Sequence, residues 1–489
     1  MALAVGCNFG QKGITPPADR IFLPTGVVPD PDEDFLYVVN SNSDLRYNAG
    51  TVVAVDLGKA AAVRAQAATS PPATCAKTRF SRAEPVAYDY CCRDLLDSNI
   101  LNCNEPQFVR SNATVELGSF GSALRLQRFE RDGIVVRRLF VAVRAEPSIT
   151  FIDVTVAGGV VAMRCTGPRK EGPFQPTNAY CEDNWRVLRP SEATPGSLVL
   201  PEEPHVLSLD ESLGALYVGH LTVTANQQVQ GGGVSIIDIC APASESSVRF
   251  AGLTRTTFLP AALSQTVGAL SPGDPLHPAT RVYATARNST AISGLALRDP
   301  NQPACDVVAA AASDRDLTLV PAETFYAPAF LPNGADIRGI LFSPDGLSAY
   351  VLHRHDLDSS SIANPGALVA IDRRALADRT AANAPMDVLP VCNGPTGMQM
   401  HDAGRGPRIY VTCYDDGQIY VIDPLAFAVT GIIDVGAGPT SLVFSPRDAG
   451  KAYVASFANS HLSVIDLAPG SPTENRVVQR IGLPHGYGE

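Results

Sequence analysis

The sequence predicts an all-β fold, a seven-bladed β-propeller of four-stranded blades with disulfide-rich insertions. Three observations predict it. A two-strand unit is written twice between Ile409 and Leu467, as IYVTCYDDGQIYVIDP and AYVASFANSHLSVIDL, with Tyr410 and Tyr453 43 residues apart. Propeller blades repeat at about 40–45 residues. Five further copies precede it, each alternating apolar and polar residues over runs rich in Val, Ile and Tyr, the two-residue period of strands. One hairpin cannot bury both faces, so the copies must stack, and closing the stack into a ring shields the edges.

In chain order the earlier copies are Leu36 to Leu57, Leu139 to Val154, Leu216 to Ile239, Val282 to Leu297 and Ala349 to Arg373. Six of the seven copies end the second strand of the pair with Asp: Asp56, Asp153, Asp238, Asp372, Asp423 and Asp466; the fourth has Leu297. A residue repeated at one structural position has a structural job, and a strand-end carboxylate accepts backbone N–H groups of the next turn. Residues 476–483 read as an outer fourth strand. Residues 21–28 read as the first inner strand with its approach, so the ring closes near the termini, and one propeller spans 20–489 behind a tail over 1–19.

The pattern Pro-x-Gly, Ser-Pro-Asp-Gly, Tyr-Val-x-Asn, Val-x-Val-Ile-Asp resembles the YVTN-type seven-bladed β-propellers. Phe342-Ser343-Pro344-Asp345-Gly346 with Tyr350-Val351, and Tyr37-Val38-Val39-Asn40, carry it. The resemblance implies a cell-envelope or surface protein, or a lactonase-like relative. It implies no catalytic residue that maps onto this chain.

The formal charge of −11 argues against nucleic acid, whose phosphates need a basic face. No apolar run approaches the ~20 residues of a membrane helix. Met1 to Cys7 (MALAVGC) reads as the tail of a bacterial lipoprotein signal with Cys7 as lipid acceptor, so a lipid anchor is the one membrane contact expected. Setting Cys7 aside leaves ten of the eleven cysteines, and no Cys-x-x-Cys occurs. Disulfides in an oxidising compartment, periplasmic, outer-membrane or secreted, are the expectation. Cys392 precedes the inner strand of the sixth blade and Cys413 ends its second strand, so these antiparallel neighbours should pair. Cys165 and Cys181 share an insertion. Cys240 and Cys305 follow third strands of adjacent blades. Vicinal Cys91 and Cys92 each join Cys75 or Cys103, in an order left open.

Insertions are expected over about 58–112, 155–196 and 298–317, each after a third strand, forming a disulfide-braced cap or side wall. Long second-to-third-strand loops in the first, third and fifth blades, with the channel mouth, make the opposite face the expected ligand face. Thr25, Ser122, His205, Arg338, Thr396 and Thr440 sit near inner-strand starts and should ring that mouth. Arg338 and His205 can hold an anion such as a carboxylate. Asp44, Arg46 and Tyr47 form either a ligand or partner contact or a self-bonded Asx turn. His220, His353 and His355 are the candidate metal or redox set, against a reading as polar loop residues. The Asp30, Asp32, Asp34 alternation lacks the Gly and Glu of a calcium loop and reads as a turn.

No catalytic motif is present. The functional expectation is a non-catalytic cell-envelope propeller, without a cofactor, that binds a protein partner or small ligand through its loop-rich face. The alternatives are a lactonase-like hydrolase at the channel mouth, with Arg338 and His205 as anion clamp and base, and a metal- or redox-binding propeller.

Overall fold

The computed structural model describes residues 13–75, 91–131, 134–166, 179–188, 200–221, 233–240, 248–255, 267–273, 276–287, 289–302, 315–326, 336–354, 365–373 and 386–482. Each repeat forms one antiparallel sheet, and the seven sheets are blades one to seven in chain order. The inner strands are Pro24–Pro29, Gly121–Arg131, Pro204–Asp210, Val267–Pro272, Asp336–Phe342, Pro395–His401 and Pro439–Phe444. Each packs on the inner strands of both neighbours, and the last packs on the first, which closes the ring. The core lies between blades, where faces rich in Val, Ile and Tyr meet.

The strand-end aspartates do the work expected of them. Asp423 Oδ1 accepts the N–H groups of Leu425 and Ala426 at 2.8 and 3.1 Å, and Asp466 Oδ1 accepts that of Ala468 at 2.9 Å. Several also hold a guanidinium: Asp153 pairs with buried Arg138 at 2.6 Å, and Asp238 with buried Arg315 at 2.8 Å. The PDPDED segment is a turn whose Asp30, fully buried, accepts the Tyr37 hydroxyl at 3.0 Å and pairs with Arg137 of blade two at 2.7 Å. It pins two blades together.

The insertions form a side wall, and each reaches back to the preceding blade. The first contains an α-helix, Leu57–Thr69, which the strand-based reading does not anticipate. Asp56 ends the blade strand and caps this helix, accepting Lys59 N–H at 2.7 Å. Beyond the helix, Leu101–Cys103 pairs in parallel with Arg476–Ile481, the outer strand of blade seven. Blade one's insertion therefore ties blade seven across the ring closure. Bonds Cys75–Cys92 and Cys91–Cys103 staple it, which settles the order that the sequence leaves open.

The second insertion does not follow a third strand as expected. It splits the fourth strand of blade two. Val160–Arg164 pairs with the lower half of Ser148–Ala157, and Arg186–Leu188 pairs with the upper half. Cys165–Cys181 closes the excursion, and Trp185 is buried beneath it. Its Cys181 N–H donates to Glu116 of blade one's outer strand at 2.8 Å. In the third insertion, Arg315 reaches Asp238 of blade three. Cys392–Cys413 joins the first two strands of blade six as expected, with Cα atoms 5.7 Å apart. Cys240 is disulfide-bonded, while Cys305 and Cys7 lie outside the described residues. No helix among the described residues is long and apolar enough to cross a membrane.

Candidate functional site

Every inner strand slips register near its start. In six blades one residue is left over, and it is the residue expected to ring the mouth: Thr25, Ser122, His205, Arg338, Thr396 and Thr440. In blade four the slip spans Gly268 and Ala269. Bulges re-aim side chains in this way.

The hydroxyls at this position are struts. Each donates to the carbonyl just before, or at, the bulge of the next blade. Thr25 Oγ1 reaches Gly121 O at 2.7 Å, Ser122 Oγ reaches His205 O at 3.0 Å, Thr396 Oγ1 reaches Pro439 O at 3.2 Å and Thr440 Oγ1 reaches Pro24 O at 3.0 Å. Blade four has no hydroxyl there. A Cβ on Gly268 would sit 2.0 Å from Ile337 O, and that carbonyl instead accepts Thr285 Oγ1 from the second strand at 3.1 Å. His205 and Arg338 make no such strut. At these two seams the ring position has been given to other chemistry.

A second position completes the site. Arg144, Arg287 and Arg354 each stand at the upper end of a second strand, at the end of VAVR, ATAR and VLHR. Two of them reach forward to an acid of the next blade: Arg144 to Glu203 at 3.0 Å and Arg354 to Asp415 at 3.7 Å. Arg287 has no such acid. Asp336 of blade five is taken by Arg338 at 2.6 Å. Arg287 turns back instead and donates from Nη2 to His205 Nε2 at 2.9 Å.

This contact fixes the imidazole. A guanidinium only donates, so Nε2 accepts and the neutral ring carries its proton on Nδ1. That Nδ1–H is buried without a partner, as are the Nε–H groups of Arg144, Arg287 and Arg338. Burial, then the guanidinia of Arg287, Arg144 and Arg338, hold the His205 pKa well below its ordinary value. Burial, then Arg338, brings Arg287 down to about 10. The cluster is rich in unmet donors and positive charge. The acceptor Asp336 Oδ1, also buried and without a partner, stands beside it.

Deeper in the channel one more cation appears. Three residues past each bulge, register-equivalent positions hold Val28, Arg125, Ser208, Leu341, Gln399 and Val443, with Ser271 in blade four. Arg125 is the one charge among them. It is exposed although both faces of its strand pack on neighbouring blades, so it faces the channel. Its Nη1 donates to its own Leu124 O at 2.9 Å, and no carboxylate among the described residues lies within 4.0 Å. Surrounding protein lowers its pKa.

Other clefts among the described residues lie away from the mouth. One of about 470 Å³ lies between the helix and blade seven. Its Lys451 pairs with Glu33 at 3.3 Å, and its Asp466 accepts Thr473 at 2.6 Å.

The remaining sequence candidates separate. His220 is buried and both nitrogens are engaged, Nδ1 with Glu202 O at 3.0 Å and Nε2 with Ser235 Oγ at 2.8 Å. It pins a blade and has no lone pair for a metal. His353 is buried at the same register position in blade five, and His355 lies outside the described residues. Among the described residues no group of three or more His, Cys, Asp or Glu is placed to hold a metal. Asp44 accepts Arg46 N–H at 3.3 Å, and Tyr47 N–H donates to Asn42 Oδ1 at 3.0 Å while its ring packs 4.9 Å from Phe22. That loop is a self-bonded Asx turn with Asp44 and Arg46 exposed at its tip. Sequence reasoning missed Arg125, Arg144 and Arg287. The arginine shared by three aligned strand ends was the available signal for two of them.

No protein-family model and no curated protein matches this chain. Solved structures do resemble it. The periplasmic gluconolactonase of Pseudomonas aeruginosa is 15% identical with a TM-score of 0.42, covering 73% of this chain and 85% of its own. A putative 6-phosphogluconolactonase from Bacteroides fragilis is 14% identical with a TM-score of 0.43, covering 85% of each chain. Hydrazine synthase of Kuenenia stuttgartiensis is 14% identical with a TM-score of 0.34, covering 92% of this chain and 84% of its own. Likeness at this level concerns the fold and carries no argument about activity.

Proposed function

We propose that this propeller binds a small anionic molecule at the mouth of its central channel. The supporting observation is Arg287, a guanidinium without a carboxylate that donates to a neutral histidine among other unmet donors. Charge-assisted bonds to carboxylate or phosphate oxygens would satisfy those donors and relieve the repulsion between Arg287 and Arg338. The test is calorimetric titration of acetate, succinate and inorganic phosphate into the full chain at low ionic strength. Saturable binding weakened about tenfold or more by Arg287→Gln is expected. Equal affinity in the variant sinks the reading.

A second reading, hydrolysis of a lactone to its acid, is favoured by Asp336. His205 is poorly suited as the base, because its Nε2 lone pair is held by Arg287. Asp336 Oδ1 is a buried acceptor without a partner beside cationic donors. It could take a proton from the attacking water as the new C–O bond forms and return it to the ring oxygen as the ring C–O bond breaks, while the guanidinia hold the developing oxyanion. A panel of γ- and δ-lactones followed by acid release tests this: turnover abolished by Asp336→Asn supports it, and no turnover by the wild type removes it.

The compartment in this proposal is the bacterial envelope, and the YVTN resemblance and the disulfides support it. Lipidation of Cys7 belongs to the same proposal, as does a partner on the loop-rich face. Mass spectrometry of protein from native membranes would detect lipid on Cys7, and an unmodified thiol there would dismiss that part.

A further inference from the structure

We propose that the channel takes an elongated ligand with an acid group at each end, one held at the mouth by Arg287 and His205 and the other by Arg125 deeper in the channel. This rests on the anion reading of the mouth and adds the class of ligand.

The spacing comes from the strand. Ser122 is at the mouth, bonded to the carbonyl of His205. Arg125 follows three residues later on the same inner strand. At about 3.3 Å per residue it lies about 10 Å further down the channel. The ring of equivalent positions otherwise offers only neutral side chains. Gln399, the other exposed member, donates to Leu442 O at 2.5 Å. Arg125 therefore has no counter-charge at its own level, and its one bond is to its own backbone. A singly charged ligand at the mouth would leave this second cation unmatched. A ligand with two acid groups about 10 Å apart answers both, and a short anion with all its charge at one end does not.

The probe is a series of linear α,ω-dicarboxylates from malonate to sebacate, titrated into the purified full chain and compared with monocarboxylates of equal length. Affinity should rise along the diacid series until the carboxylates span the two sites, gaining about tenfold or more over malonate, with no such gain for the monoacids. Arg125→Gln should abolish the gain along the series, and Arg125→Lys should retain part of it. Affinity independent of length, an equal gain for monoacids, or a gain that survives in Arg125→Gln overturns the proposal while leaving the mouth site standing. Failure of malonate itself to bind, or indifference of every ligand to Arg287→Gln, overturns the anion reading and this inference with it.

Discussion

The mouth ring divides into two arcs. In blades six, seven, one and two the bulge residue is a Thr or Ser that ties its blade to the next. In blades three, four and five the same position is His205, Gly268 and Arg338. One arc shows what the fold requires of the position, so the other shows what has been changed. Each strut is a hydrogen bond of about 1 kcal/mol net. Two have been surrendered, at His205 and Arg338; His205 takes a hydrogen bond from Arg287, and Arg338 repels it. A fold that forgoes stability at one arc and keeps it at the other supports the proposal that the first arc binds the ligand.

The largest effect expected from breaking this contrast is at Gly268. Any Cβ there meets the Ile337 carbonyl at 2.0 Å, and backbone cannot turn aside as a side chain can. Gly268→Ala should cost about 3 kcal/mol or more, or prevent folding. Ala269 on the same slip already carries a Cβ and is partly exposed, so Ala269→Ser should cost less, and the pair separates crowding from the chemistry of the arc. Denaturant midpoints measure both.

Next comes acid stability. Burial lowers the His220 pKa to about 4, although its bond to Glu202 O opposes this. The folded ring stays neutral while the unfolded one takes up a proton below its ordinary 6.5. Stability from this group is thus complete above about pH 6.5 and is lost as pH falls towards 4, by an amount on the order of 3 kcal/mol. His205, also depressed, adds in the same direction. His220→Gln should flatten the pH dependence of the unfolding midpoint between those values. Bound anion should oppose the loss from His205 alone, since only His205 faces the site.

Arg287→Met sharpens the contrast with opposite signs for binding and stability. Removing a half-buried cation among other cations should raise stability by ~1 kcal/mol at neutral pH while abolishing anion binding. A variant that is less stable and still binds would reverse the assignment of this arc.

How much of this was legible beforehand follows from what repeats. Seven copies of one strand pair carry the fold in their periodicity, and the strand-end aspartates declare their role by recurring. The mouth positions were legible for the same reason. Their division into struts and site was not, because a threonine reads alike whether it bonds the next blade or lines a channel. No motif sets Arg125 apart; only the register puts it at the channel level shared with Gln399. The helix Leu57–Thr69 is not legible in the sequence because Asp56 both ends the strand and caps the helix, and LGKAAAVRAQAAT has few large apolar residues to mark a buried face.

The smallest effect tests the hydroxyl arc. Thr440 Oγ1 donates to Pro24 O at 3.0 Å across the seam where the last blade meets the first. Thr440→Val keeps the shape and removes the donor, leaving a carbonyl without its strut. The expected cost is about 1 kcal/mol, seen as a lower denaturant midpoint with an unchanged slope. Anion affinity should not move, because the change lies in the other arc. The seam is also held by Leu101–Cys103 against Arg476–Ile481 and stapled by Cys91–Cys103. Reducing that disulfide should deepen the loss beyond the sum of the two separate changes, since both act on one closure. Strict additivity would mean that the strut and the insertion hold different parts of the ring. A loss of anion affinity in Thr440→Val would mean that the two arcs are one site.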